Sequence, residues 1–183
     1  MTVITRKEEM EAAAITEKWK NSYYPGKAEV ERATSDISGM NLNDADLSGV
    51  PAASLARLLS LCTDWLWLPR LSSEQWTEVE RLSQNWRVKR LVIERTTLDK
   101  HCSEMLAVTV ARTEEVWLLR GVNIDFPAFQ TAFTARAGRG NCRQIGIYYR
   151  TEERYREQIG QLQRQLGWRR TEDQSNYIRL IKK

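Results

Sequence analysis

The chain has 183 residues, of which 42% are hydrophobic, and these values predict one domain with a sizeable core. No apolar run reaches the length of about 18 residues that a membrane-spanning helix needs. The first 19 residues contain four glutamates and no apolar core before a small-residue cleavage site. They therefore resemble neither a secretory nor a mitochondrial leader, and we expect a cytoplasmic protein.

The N-terminal part of the chain predicts a helix. Residues 7–24 are rich in strong helix formers, and a Pro-Gly pair follows them. Ile15, Trp19 and Tyr23 form one apolar stripe along this helix. We expect residues 1–36 to form an N-terminal helix and cap that covers the apolar end of the structure that follows.

A characteristic spacing of apolar residues repeats through the middle of the chain. In the stretch VKRLVIERTTL, residues 88–98, apolar residues occupy relative positions 1, 4, 6 and 11. The pair at positions 4 and 6 has the period of a short strand. The sixth-position residues of successive copies are separated by 25, 26, 26 and 28 residues, and they are Leu42, Trp67, Ile93, Leu119 and Ile147. A nearly constant period in this range indicates a solenoid.

The same spacing predicts which strand residues face the interior. The inward pairs are Met40 and Leu42, Trp65 and Trp67, Leu91 and Ile93, Trp117 and Leu119, and Ile145 and Ile147. By this alignment most of the seven tryptophans belong to the core. Trp168 is the exception, because it precedes two arginines and is expected to be exposed.

Each predicted strand is followed by a stretch with helical spacing. The apolar positions of these stretches are Leu55, Leu58 and Leu59; Trp76, Val79 and Leu82; Cys102, Met105 and Leu106; Phe126, Phe129 and Phe133; and Ile159, Leu162 and Leu166. Ser72 is a credible N-cap, and Gly167 a credible C-cap. Five strand–helix units over residues 37–167 predict a parallel sheet with helices on one side. Residues 168–183 predict two closing strands around a polar turn.

The residues that could carry catalytic or metal chemistry are few. Cys62, Cys102 and Cys142 are best explained as reduced thiols in the core, because two occupy an inward repeat position. His101, the single histidine, adjoins Cys102, but neighbours on a helix point about 100° apart and do not form a nucleophile–base pair. One histidine with three widely spaced cysteines does not predict a zinc site either. We therefore predict no catalytic residue, no metal and no cofactor.

The repeating unit of strand, loop and helix resembles the leucine-rich repeat of the ribonuclease-inhibitor class. Such repeats usually carry Asn or Cys at position 9; here that position holds Ala45, Thr96, Val122 and Arg150. Trp also replaces Leu at several strand positions, so the repeat is degenerate. Similar repeats form the sensing arms of NACHT-type innate immune receptors and the recognition arms of F-box proteins. The resemblance implies a non-catalytic protein–protein interaction module without a small-molecule substrate.

The strand alternation also predicts a binding surface on the sheet face opposite the helices. There we expect an apolar row flanked by charged residues; the row is Leu66, Leu68, Val92, Leu118 and Tyr148, and the flanking residues are Glu94, Arg120 and Arg150. An exposed apolar row with a charged rim suits a protein partner. The alternative is that the N-terminal helix lies over this row and hides it.

A second function is suggested by the uneven distribution of charge. Residues 143–183 contain ten Lys or Arg and five Asp or Glu. This basic C-terminal quarter could contact phosphates, which would make the chain a nucleic-acid or anionic-surface binder. The acids also interleave with the arginines, as they do on a solvated helix face.

Overall fold

A computed structural model of the protein describes residues 36–43, 47–172 and 176–183. The strands are β1 (Ile37–Asn41), β2 (Cys62–Leu68), β3 (Arg90–Ile93), β4 (Glu115–Leu118), β5 (Gln144–Tyr148), β6 (Arg169–Glu172) and β7 (Tyr177–Ile181). The helices are α1 (Ala52–Leu59), α2 (Ser73–Ser83), α3 (Lys100–Ala111), α4 (Phe126–Ala137), α5 (Tyr149–Arg154) and α6 (Arg156–Leu166). The helix predicted over residues 7–24 lies outside the described residues.

The described strands form one open sheet in the order β1-β2-β3-β4-β5-β7-β6. The first five are parallel, and the last two are antiparallel to their neighbours. Consecutive helices pack side by side, α1 on α2, α2 on α3, α3 on α4 and α4 on α6. The predicted α/β architecture with two closing strands is confirmed, whereas the short helix α5 was not predicted. None of the described helices has the length and apolarity to cross a membrane.

Local sequence signals explain where the helices begin and end. Ser72 caps α2 in a reciprocal capping box with Gln75. Asp99 and Asp125 cap α3 and α4, each accepting a hydrogen bond from a backbone N–H of the first turn. Gly167 ends α6 with φ of 67°, a left-handed conformation that glycine adopts without steric cost.

Two apolar rows on the helix side of the sheet form the centre of the core. One row is Met40, Leu66, Leu91, Val116, Ile145 and Leu180, and the other is Leu42, Leu68, Ile93, Leu118, Ile147 and Ile178. All twelve are buried beneath the helices. The inward pairs predicted for β1, β3 and β5 are therefore confirmed.

The inward pairs predicted for β2 and β4 are wrong by one residue. Trp65 and Trp67 lie on the opposite face of the sheet, which we call the outer face, and so do Trp117 and Leu119. In both strands the apolar residues run consecutively, so a slip of one residue still places apolar side chains inside. The smaller Leu and Val fit under the helices, and the larger indoles remain outside.

Two of the three outer-face tryptophans of β2 and β4 lie against glycines of neighbouring strands. Trp65 pairs in register with Gly39, and Trp117 pairs with Gly146. A Cβ added to either glycine would overlap the indole ring of its partner. Each glycine therefore provides the space in which a large ring lies flat on the sheet.

Polar contacts tie successive units together where the repeat lacks Asn or Cys. The amide of buried Gln75 donates to the backbone carbonyl of Leu47 at 2.7 Å. The loops after β3 and β4 are joined by backbone bonds, from Asn123 N to Thr96 O at 2.8 Å and from Leu98 N to Asn123 O at 2.8 Å. These bonds satisfy loop groups that would otherwise be buried without partners.

At the C-terminal end, Trp168 is buried, which corrects the expectation that it is exposed. It is 5% exposed, and its ring meets that of Phe133 edge-on with centroids 5.9 Å apart. The apolar gap between α4 and the closing strands takes up the indole despite the arginines that follow it in sequence.

The register of β2 and β4 is tested by two leucine truncations of the same chemistry. Leu68→Ala removes a fully buried side chain and should lower the free energy of unfolding by about 2–5 kcal/mol. Leu119→Ala alters a half-exposed side chain on the outer face and should cost about 1 kcal/mol or less. Urea denaturation measures both, and equal losses would contradict the observed register.

The packing of Trp117 on Gly146 is tested by adding one methyl group. Gly146→Ala should destabilise the protein by about 1–3 kcal/mol, because the ring is held by a hydrogen bond to Glu115 and cannot move freely. Gly138→Ala is the matched control, since a Cβ there meets nothing within 4 Å. That change should be neutral or stabilise by up to about 1 kcal/mol in thermal or urea unfolding. Similar effects of both substitutions would refute the close packing.

Candidate functional site

Three of the predicted partner-binding residues belong to the core. Leu66 and Leu68 are 0% exposed, and Leu118 is 3% exposed. All three pack with the helices, because β2 and β4 present the opposite alternation to the one predicted. They are therefore unavailable to a partner. Val92 does lie on the outer face, but it is only 2% exposed.

The other predicted residues gather near the carboxyl-terminal ends of β3, β4 and β5. Glu94 follows β3, Arg120 follows β4, and Tyr148 and Arg150 stand at the end of β5. Because these strands are parallel and adjacent, their ends meet at one edge of the sheet. Four of the eight candidate residues therefore lie near one edge of the sheet.

Four aromatic rings form a connected cluster at this edge, which we call the aromatic cluster: Trp117, Tyr148, Tyr149 and Tyr177. The ring of Trp117 meets that of Tyr177 edge-on at 5.3 Å between centroids. Tyr148 contacts Tyr177 at 5.8 Å and Tyr149 at 4.8 Å. All four rings are half-exposed.

The aromatic cluster depends on the antiparallel pairing of β5 with β7. This pairing sets Tyr148 directly opposite Tyr177, although the two residues are distant in sequence. Trp117 is oriented by a 2.8 Å hydrogen bond from its indole N–H to Glu115 Oε1. Three rings of the cluster were not predicted as surface residues: Trp117 was assigned to the core, Tyr177 was expected only as part of the closing strands, and Tyr149 was given no role.

Charged side chains border the aromatic cluster. Glu94 is buried, and its carboxylate lies 3.3 Å from the guanidinium of Arg120 and 4.0 Å from that of Arg95. These two arginines remain about two-thirds exposed, at 67% and 62%. Arg150 donates from Nε to the Tyr149 hydroxyl oxygen at 2.8 Å, and this bond lowers the pKa of Tyr149. The border is therefore cationic at its exposed points.

A second buried carboxylate anchors the structure beneath the cluster. Glu152 of α5 lies 3.4 Å from Arg156 Nε and 3.1 Å from Arg170 Nη2. The carboxylate is 3% exposed and is compensated by the two guanidinium groups. Since Arg170 belongs to β6, this ion pair joins α5 to the closing strands that present Tyr177.

Toward β1 and β2 the outer face is only partly exposed, since Trp67 and Asn41 are half-buried. Trp65 is 0% exposed, although it lies on the side of the sheet away from the helices. The indole N–H groups of Trp65 and Trp67 are buried, and neither has a hydrogen-bond partner among the described residues. The alternative that the N-terminal helix covers this face concerns residues outside the described ranges.

The thiols lie in environments that disfavour nucleophilic chemistry. Cys62, Cys102 and Cys142 are free and buried, as the sequence predicted. Burial raises the pKa of Cys62 and of Cys142 to about 12, and it also raises the pKa of Cys102. Within the described part of the chain, no group of three His, Cys, Asp or Glu side chains could hold a metal ion.

Comparison with known proteins adds no relative: no protein-family description, curated protein or solved structure matches the chain.

The buried environment of the thiols predicts slow chemical modification. In the native protein an aromatic disulfide reagent should react with Cys62 and Cys142 roughly 10³-fold more slowly than in urea, because reaction requires unfolding. Absorbance of the released thiolate gives the rates, and mass spectrometry assigns the sites. Rapid native labelling of either residue would contradict its burial.

Proposed function

We propose that the chain is a non-catalytic protein–protein interaction module whose binding surface is the aromatic cluster with its cationic border. In finer terms, we propose a degenerate leucine-rich-repeat solenoid of the ribonuclease-inhibitor class. It would serve in the cytoplasm as a sensing or recognition arm of an innate-immune or ubiquitin-ligase-type assembly.

The observation that carries this proposal is the set of four half-exposed rings in mutual contact at the sheet edge. Isolated exposed rings are common on protein surfaces, but a connected group beside exposed arginines is typical of an interface centre. Trp, Tyr and Arg are also the residues most enriched among binding hot spots. Arg120 and Arg150 supply the cationic side chains next to the rings.

The rigidity of the cluster favours affinity. Trp117 is held by Glu115, and Tyr149 by Arg150, so few rotamers remain to be ordered when a partner binds. The Glu152 ion pairs fix the closing strands that carry Tyr177. A surface that is ordered in advance loses less conformational entropy on association.

The strand register supports the repeat assignment. Met40 pairs with Leu66, Leu66 with Leu91, and Leu91 with Val116, so corresponding positions recur every 25 or 26 residues. Each unit contributes a strand to the sheet and a helix to the layer behind it. Stacking of equivalent units is the organisation of a solenoid.

The proposal is tested by a quantitative pull-down with the intact chain. The binding variant is Tyr148→Ser with Tyr149→Ser, which removes two half-exposed rings of the aromatic cluster. We expect this double variant and wild type to melt within a few degrees of one another, while binding of the recovered partner by the variant falls at least about 30-fold, equivalent to about 2 kcal/mol. Purified partner is then titrated to obtain Kd.

Arg164→Glu provides the control, because Arg164 is exposed on α6, away from the cluster. It should retain the partner at wild-type affinity. The Kd of wild type should change little between low and moderate salt, as expected for a largely apolar contact. Unchanged binding by the double variant, or equal loss in the control, would refute the proposed surface.

A further inference from the structure

A second surface lies at the opposite edge of the sheet, where the parallel strands begin. Two depressions of about 390 and 560 Å³ meet there at Gly140. Their lining includes six cationic side chains and one carboxylate, that of Glu114; the cations are Arg112, Arg136, Arg139, Arg143, Lys182 and Lys183. We call this surface the basic edge.

The basic edge is assembled by backbone contacts between three parts of the chain. The turn after α4 packs on the end of α3, where Cys142 N donates to Ala111 O at 3.2 Å. Lys182 N donates to Arg143 O at 2.9 Å, which sets the end of β7 beside the start of β5. The cations therefore project from a fixed scaffold rather than from one flexible segment.

Only part of the positive charge at the basic edge is neutralised by other groups of the protein. Arg112 is engaged by Glu80 at 3.0 Å, and Lys182 Nζ donates to Ala137 O at 3.4 Å. The carboxyl ends of α3 and α4 lie here, and each helix end carries about half a negative charge. Exposed Arg136, Arg139 and Arg143 carry three positive charges. The two helix ends and Glu114 together contribute about two negative charges, so a positive excess remains.

We propose that the basic edge binds the phosphate backbone of double-stranded nucleic acid without reading its sequence. Guanidinium groups match phosphate oxygens in bidentate geometry, and three of the exposed cations are arginines. Among the described residues no aromatic side chain lines either depression, whereas single-strand sites depend on stacking. Apolar groups that would enter a lipid surface are also scarce, since Ile181 is half-buried.

This site differs from the basic C-terminal quarter expected from the sequence. Arg136 comes from the last turn of α4 and Arg139 from the turn after it, and both lie outside that quarter, yet they line the same depression. Conversely, Arg156 and Arg170 are occupied by Glu152, and Arg150 contacts Tyr149 at the far edge. The fold thus concentrates at one edge charges that the sequence spreads over distant segments.

The test is fluorescence anisotropy of the full chain with a labelled DNA duplex of about 20 base pairs. If about four phosphates are contacted, affinity should fall roughly 10²-fold between about 50 and 200 mM salt. The variant Arg139→Glu with Arg143→Glu should weaken binding at low salt at least about 10-fold and reduce the salt slope by about two.

The matched control is Arg154→Glu with Arg164→Glu, which makes the same change in net charge at exposed residues outside the basic edge. It should bind nearly as wild type does. If the charge-reversed variant of the basic edge does not fold, the variant Arg139→Gln with Arg143→Gln is used in its place. It should still reduce the dependence of affinity on salt concentration. Equal loss in both charge-reversed variants, failure of wild type to bind the duplex, or tighter binding to phosphatidylserine vesicles or to the single strand would each overturn the proposal.

Discussion

The architecture depends on the burial of one sheet face that no single unit can cover alone. A strand and its helix leave their flanks apolar, and only the next unit in register can bury them. Leu91 illustrates this constraint, because it pairs with Leu66 on one side and Val116 on the other and is fully buried. In-phase stacking of these rows fixes strand order, helix layer and the edges at which the loops gather.

The period of the sequence was sufficient to predict an α/β architecture with a mostly parallel sheet, but not the register of every strand. In β3 the polar residues Arg90 and Glu94 share the parity of Val92 and so place Leu91 and Ile93 inside, whereas the apolar runs of β2 and β4 give no such indication. For such strands alternation alone cannot decide between the two registers. The register of β4 depends on a contact between strands, because the indole ring of Trp117 packs on Gly146 of β5. The pattern of residues within β4 alone carries no information about that contact.

The residues of the candidate surface could also be predicted only in part. Loops at the ends of adjacent parallel strands must converge, so Arg120 and Tyr148 could be placed together from the sequence. Tyr177 could not, because its position depends on the antiparallel pairing of β7 with β5. The ion pair of Glu152 with Arg170 was equally hidden, since it joins helix α5, which has no apolar periodicity of its own, to strand β6.

The two surfaces occupy opposite ends of the same strands, and this separation governs how they can interact. Arg143 at the start of β5 and Tyr148 at its end are five residues apart, which corresponds to about 17 Å in a strand. That distance is about twice the Debye length at physiological ionic strength. Phosphate bound at the basic edge would therefore change the electrostatic potential at Tyr148 very little. Coupling between the surfaces would require a shift of β5 or β7, and the packing of Gly146 beneath Trp117 opposes such a shift.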